Sequence, residues 1–520
     1  MAIDISDPSA PGPPSSFDAN RFIPPRTECL AAFIGRAHRG PLNEPVVIAS
    51  FDAYRRIFGG HGQLGFLSTA VQQYFEHGGA VAAVVRVANN ATRARVDLPA
   101  QGQLLRLHAR EPGNRFVLRA SVDYDGIKSN EEQFNLVVQR LARPGSQLVE
   151  DQELFRALSM DESDERFVVD ALRSSELVQL GGPLPDCRPD ATRAEHPGQP
   201  LPYIEMSSSG SDGEELTDYD VVGSNDERTG LFALDDLDRI DLVNIPLPAS
   251  GHDLGLTTFL AAERYCARRR AILLWDPPWS WDSAATALLG VRGGGLASAS
   301  AMTYFPRVVH TVSPERHPQG VPAGGAVAGM LAANDRAEHW QVLDGANASL
   351  KSGLVPSLTV TDRESGLLRG SGINVFVNGR GHRTRLEGNV SLGASSAVSH
   401  IWQRLDRCRL LGHILKSLEQ HTRWALSAKW NRDFEQQVVG DVRAFLGALF
   451  AGGALCGDRP EQAFFIKLQA AILGEQRELV LRIGIALDKP NEFQIYDVIH
   501  RAGQSTTRPA PPREAAQLAS

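Results

Sequence analysis

The chain has 520 residues, 42% of them hydrophobic, with 53 Lys and Arg against 61 Asp and Glu for a net charge of −8. That length allows roughly two to four domains with self-sufficient cores, and the mild acidity excludes a bulk electrostatic pull toward nucleic acid or an anionic membrane. No window approaches the roughly eighteen apolar residues of a membrane span, and the start M-A-I-D-I-S-D-P has neither a basic nor an apolar leader region, so a protein made and folded in the cytoplasm, with no membrane insertion of its own, is expected.

The first 27 residues are rich in Pro, Ser and Asp and read as a flexible arm. Order begins near Cys29, where C-L-A-A-F-I-G is strand-like. In S-F-D-A-Y-R-R-I-F-G-G, Ser50 is placed to cap a helix, Tyr54 and Phe58 share one of its faces, and Gly59 stops it. F-L-S-T-A-V-Q-Q-Y-F-E-H-G-G predicts a second helix, and A-V-A-A-V-V-R-V is a continuous apolar strand of the kind covered on both faces. From 89 to 204 the texture changes. L-L-R-L-H-A, R-F-V-L-R-A-S-V and F-N-L-V-V-Q-R-L are short strands between turn signals, followed by a helical R-F-V-V-D-A-L and a linker rich in Pro, Ser, Gly and Asp. This segment reads as a β-rich insertion that splits an α/β unit into 28–88 and 205–375.

In the second half of that unit, D-L-V-N-I-P and A-I-L-L-W-D-P-P are strands, and the helix between them ends in A-R-R-R, cations that suit its dipole. G-G-A-V-A-G-M-L-A-A-N-D and G-I-N-V-F-V-N-G continue the alternation, and G-R-G-H-R is hairpin-like. Two long helices, about 398–424 and 434–450, precede the strands F-F-I-K-L-Q, L-V-L-R-I-G-I-A-L and F-Q-I-Y-D-V-I. They make an α+β C-terminal domain, 376–503, and a polar, disordered tail over 504–520 is expected.

No arrangement of residues points to a reaction. The P-loop spacing is missing, and the glycines at 293–295 lack its lysine. The 14 histidines form no H-x-x-x-H or H-E-x-x-H. The five cysteines are odd in number and scattered without a C-x-x-C pair, so they read as buried or inert thiols. S-S-S-G-S-D-G at 207–213 does not have the G-x-S-x-G spacing of a nucleophile elbow. Asp235, Asp236 and Asp238 read as a solvated face. W-D-P-P-W-S-W, from Trp275 to Trp281, is either an aromatic stacking platform or a packed strand end. No metal, cofactor or catalytic residue is assigned.

Taken together, A-A-F-I-G-R-A-H-R-G-P-L-N-E-P-V-V-I-A-S-F-D-A-Y-R-R-I-F-G-G at 31–60 and A-V-Q-Q-Y-F-E-H-G-G-A-V-A-A-V-V-R-V resemble the opening of the tail sheath proteins of contractile phages and injection systems. The resemblance continues in order through R-A-I-L-L-W-D-P-P, V-P-A-G-G-A-V-A-G-M-L-A-A-N-D, G-I-N-V-F-V-N-G-R-G, G-A-L-C-G-D-R-P-E-Q-A-F-F-I-K and N-E-F-Q-I-Y-D-V-I, covering roughly 28–500. It implies an α/β fold with a subtilisin-like core and no working triad, an outward-facing insertion, and a C-terminal domain ending in an intersubunit strand. The implied protein is a structural, non-enzymatic subunit that stacks as hexameric rings around an inner tube protein and contracts to drive that tube through a membrane. Its partners would be copies of itself, the tube, the baseplate and other sheath paralogues.

In the family the C-terminal strand is lent to a neighbour's sheet. That places 492–500 as the lent strand, with Phe493, Ile495, Tyr496, Val498 and Ile499 in it and Pro490 where the arm leaves the body; pairing with 479–487 in its own domain is the alternative. Arg404, Arg407, Lys416, Lys429 and Arg432 are the candidates to face the tube, against an ordinary solvated face. The start departs from the family: Pro24 and Pro25 interrupt the region where an alternating N-terminal strand is usual, which implies a specialised paralogue near the baseplate or terminus, or a different contact there. The rival readings are an α/β hydrolase and a carbohydrate-binding tail component built on the tryptophans.

Overall fold

A computed structural model describes residue 23 and residues 28–510 apart from 62–63, 129–131, 193–201, 295, 312–319, 338–341, 344–346, 352, 380–382, 393–402, 427–431, 474–475 and 502–503. The chain opens with strands β1 (Leu30–Gly35) and β2 (Pro45–Ile48), helices α1 (Phe51–Phe58) and α2 (Leu67–Glu76), and strand β3 (Val81–Arg86). Local chemistry sets these bounds. Ser50 Oγ accepts from the Ala53 N–H at the start of α1, and Gly59 takes φ 91° at its end, a left-handed conformation that ends helices cheaply.

The excursion that follows carries β4 (Arg93–Ala100), β5 (Gln103–Pro112), β6 (Val117–Asp123), β7 (Phe134–Leu141), β8 (Val149–Leu158), α3 (Val168–Arg173), β9 (Val178–Leu180) and β10 (Ile204–Glu205). These form one sheet ordered β4-β5-β9 and another ordered β10-β6-β7-β8. Leu98, Leu107, Phe116, Leu136 and Leu158 belong to a hydrophobic core separate from the others. The excursion leaves and returns side by side, with bridges Asn89 to Glu214 and Thr92 to Ser211. Its root is fixed by Arg86, 1% exposed, which donates to the carbonyls of Gly40 (2.8 Å) and Pro112 (2.7 Å).

The main body resumes with α4 (Asp218–Val222), β11 (Leu242–Asn244), α5 (Leu256–Arg269), β12 (Ile272–Trp275), α6 (Ala284–Gly293), β13 (Ala301–Phe305), β14 (Val308–His310), α7 (Gly324–Ala337), β15 (Leu354–Pro356), α8 (Asp362–Gly370), β16 (Ile373–Asn378) and β17 (Thr384–Glu387). The large sheet has eight strands in the order β17-β16-β13-β12-β11-β1-β3-β2. Its interior is parallel and its two edge strands, β2 and β17, run antiparallel. Alternate residues of β1 feed opposite faces: Ala31 and Phe33 enter the core under α1, α2 and α7, while Ala32 and Ile34 enter the one under α5 and α6. The helix pair α2 and α7 packs backbone to backbone, because a Cβ at Gly325 would lie 1.9 Å from the Ala70 carbonyl oxygen and one at Gly329 would lie 2.4 Å from that of Tyr74.

Last come α9 (Leu405–His421), α10 (Arg432–Ala451), α11 (Pro460–Ala463), β18 (Phe464–Leu473), β19 (Gln476–Ala486), β20 (Phe493–Arg501) and β21 (Gln504–Pro509), the strands forming an antiparallel sheet in that order. Leu410, Ile414 and Leu418 of α9 and Phe445 and Leu449 of α10 pack on Leu481, Ile483 and Val498, and Ile23 joins the same core. Helix α9 is the seam of the molecule, since its first turn, Leu405 and Cys408, belongs instead to the core of the large sheet. The tail expected to be disordered from 504 is thus a paired strand as far as Pro509; residues 511–520, and the N-terminal arm apart from Ile23, lie outside the described residues.

Candidate functional site: the C-terminal sheet and its seam

In a doubly wound sheet, ligands bind outside the carboxyl ends of the strands. Here that position is plugged. Asp276, directly after β12, accepts from the Tyr304 hydroxyl, from Asn244 Nδ2 (3.4 Å) and from the Gly324 N–H (3.2 Å) that opens α7. Burial pushes its carboxyl up to about 7, with those donors pulling the other way. A Cβ at Gly324 would meet the Tyr304 hydroxyl at 2.3 Å and Asn244 Nδ2 at 2.4 Å. The groups bonded to Asp276 are all donors. The tryptophans nearby are packing elements rather than a platform: Trp275 and Trp281 are buried, and Trp279 lies against Phe66 and under the Arg307 guanidinium. The five cysteines are free thiols.

The strand expected to be lent, β20, lies inside its own chain's sheet, which corrects that placement. It pairs with β19 from Ala486↔Phe493 to Glu478↔Arg501 and with β21 from Tyr496↔Pro509 to Arg501↔Gln504. Its alternation is real but serves its own core: Tyr496 and Val498 face α9 and α10. On the other face Phe493 meets Phe465 edge-on at 5.1 Å, Ile495 is buried and Ile499 half-buried, and Asp497, 1% exposed, is held by both sides of the Arg482 guanidinium (2.7 and 3.0 Å). Pro490 sits in the turn joining β19 to β20, beside Asn491 at φ 65°; it turns a hairpin and does not release an arm.

The cations expected to face a tube are largely spent within the chain. Arg404 bonds Asp406 (2.8 Å) and Asp488 (3.5 Å), and Arg407 reaches the same two carboxylates (3.5 and 3.3 Å). Lys416 points inward, donating to the Ile240 carbonyl (2.5 Å) and to Asp241 (3.1 Å). Asp241 also takes the Arg239 guanidinium (3.0 Å) and the Leu30 N–H (3.1 Å). Burial alone would raise this carboxyl; Lys416 and Arg239 outweigh it and bring it down to about 2. The physical reason is general: a charge at a domain seam stays charged only when paired. Lys429 lies outside the described residues, and Arg432 opens α10 with its side chain outside them.

What the sequence reading missed is β21. It is the sheet's edge, exposed along most of its length, and is latched to α9 by side chains. Arg423 Nε donates to Ser505 Oγ (3.2 Å), Ser505 meets His500 Nδ1 (2.7 Å), and His500 Nε2 meets Thr422 Oγ1 (2.7 Å), whose hydroxyl donates to the Leu418 carbonyl (2.5 Å). Because Thr422 spends its proton on Leu418, His500 Nε2 carries a proton, and Ser505, which accepts from Arg423, can give its own proton to Nδ1 of a neutral His500. Burial, helped by Arg423, lowers His500 to about 4. Thr507 Oγ1 adds a bond to Glu419 (3.3 Å), itself held by Arg270 (2.7 Å).

No family model and no curated protein sequence matches the chain. Solved structures do. A sheath tail protein from Listeria innocua superposes with a TM-score of 0.62 at 11% identity, over 92% of this chain and 96% of that one. A sheath tail protein from Desulfitobacterium hafniense gives 0.55 at 11% identity, over 94% and 98%. The PVC sheath complex of an extracellular contractile injection system, in its contracted state, gives 0.51 at 14% identity, over 90% and 91%. From its first strand to its C-terminal sheet, this chain therefore has the fold of the contractile tail sheath proteins.

Proposed function

We propose that the protein is a structural subunit of a contractile sheath, stacking as hexameric rings around an inner tube and contracting to drive the tube through a target membrane. The observation that carries this reading is the end-to-end superposition on sheath proteins, which spans nearly the whole of both chains rather than one shared module. The eight-stranded core is the subtilisin-like part, and its plugged strand ends support a role without covalent chemistry. The separately cored insertion faces outward, and baseplate and tube are the partners, with a place next to the baseplate or terminus following from the unusual N-terminal segment.

Copies are joined by an edge strand passed to a neighbour's sheet. In this chain the strand passed on is β21, an edge strand that puts no residue into the domain's core, whereas β20 is paired along both of its edges. Main-chain pairing holds while rigid bodies rotate, and many weak links in parallel make a strong sleeve. Production of the full chain together with its tube protein, viewed by negative-stain microscopy, should give striated sleeves. Particles that stay monomeric with tube present, or stoichiometric labelling by a serine-directed probe, would overturn the reading.

A further inference from the structure

The C-terminal ends of α5 and α9 open, with the segment 238–240, onto one cleft of about 370 Å³. Six cations line it: Arg239, Arg268, Arg269, Arg270, Lys416 and Arg423. Asp238 and Glu419 line it too, and Asp235 and Asp241 bond its cations from behind. Six positive charges against four negative leave the cleft at +2 in a protein whose net charge is −8. Cations offset the dipole at a helix end, which accounts for the arginines of α5 alone but not for Arg239 or for the convergence of two helix ends. Arg268 and Arg423 are exposed at its rim.

We propose that this cleft receives an acidic turn of a second copy of the chain, residues 161–165 of the insertion. That turn carries Asp161, Glu162, Asp164 and Glu165 within five residues, all but the half-buried Asp164 exposed. It is held in one shape: the Ser159 N–H donates to the Arg166 carbonyl (2.9 Å), Phe167 N–H to Asp164 O (3.0 Å), and Asp161 accepts from Ser163 N–H (2.9 Å). A prefolded loop loses little freedom on docking, and opposite charge gives it direction. Cleft and turn belong to different domains with separate cores. Contact between two different patches is head-to-tail, the kind that propagates into rings or helical stacks. The inference rests on the sheath reading only in taking another copy as the occupant.

The test uses the full chain in three forms: Arg268→Glu with Arg269→Glu, Glu162→Lys with Glu165→Lys, and all four together. Thermal unfolding confirms that each is folded, and sedimentation and electron microscopy with tube protein give the concentration of half-assembly. Either double variant should raise that concentration about tenfold, and the quadruple variant should return it to within about threefold of wild type. Unchanged assembly by a folded double variant, or no recovery in the quadruple variant, overturns the docking while leaving the sheath reading intact. Wild-type protein that remains monomeric overturns both.

Discussion

Removal of residues 504–520 takes away β21 and the tail beyond it. Ordering six residues costs about 6–12 kcal/mol of backbone freedom. The six residue pairs with β20 return about six main-chain bonds at about 1 kcal/mol each, and the bonds of Ser505 and Thr507 to α9 and His500 add about 1–3 kcal/mol. The net gain is thus at most about 3 kcal/mol, as expected of a strand whose exposed face buries no apolar side chain. The truncated protein should therefore lose at most about 3 kcal/mol in urea unfolding, while sleeve formation with tube protein is lost. Amide exchange gives a second view, because β21 amides should exchange far faster than those of β19. A stability loss above about 4 kcal/mol, or β21 protection equal to that of β19, would make the strand an integral part of the fold and refute its being lent.

Lys416→Met leaves Asp241 buried with only Arg239 and the Leu30 amide; a loss of about 2–4 kcal/mol in urea unfolding is expected, and a change below about 0.5 kcal/mol would show the pair to be inert. Acidification should weaken the latch on β21: His500 is neutral when folded, with its pKa held near 4, so stability is full above the unfolded value of about 6.5 and falls as pH drops toward 4, by at most about 3 kcal/mol. His500→Gln should remove that slope, and a slope that survives in the variant assigns it to another group. Gly325→Ala drives a methyl into the Ala70 carbonyl and should lower stability by about 2–4 kcal/mol in a thermal scan; a smaller loss would mean that α2 and α7 slide apart at little cost.

Features set by neighbours in sequence were legible. Ser50 and Gly59 bound α1 because capping is a contact within one turn, and the continuous apolar run of β3 announced a strand covered on both faces. Partners far along the chain were not. Lys416 looks like a solvated helix cation, since nothing near it in sequence reveals Asp241, 175 positions away; Arg404 and Arg407 likewise meet Asp488 only through the fold. The alternation in F-Q-I-Y-D-V-I marked a strand but carried no information on which sheet completes it. Q-S-T-T-R-P escaped notice because its inward positions, Ser505 and Thr507, are as polar as its outward ones, so the strand does not alternate in hydrophobicity. An apolar column at Ser505 and Thr507, the positions facing α9, would have betrayed it.

The neighbouring bridges at Asn89 with Glu214 and Thr92 with Ser211 have a practical corollary. Because the two ends leave side by side, a module with adjacent termini could be spliced in their place, provided the Pro112 carbonyl that satisfies buried Arg86 is kept. The same geometry lets the excursion change in length and sequence while the eight-stranded sheet keeps its order.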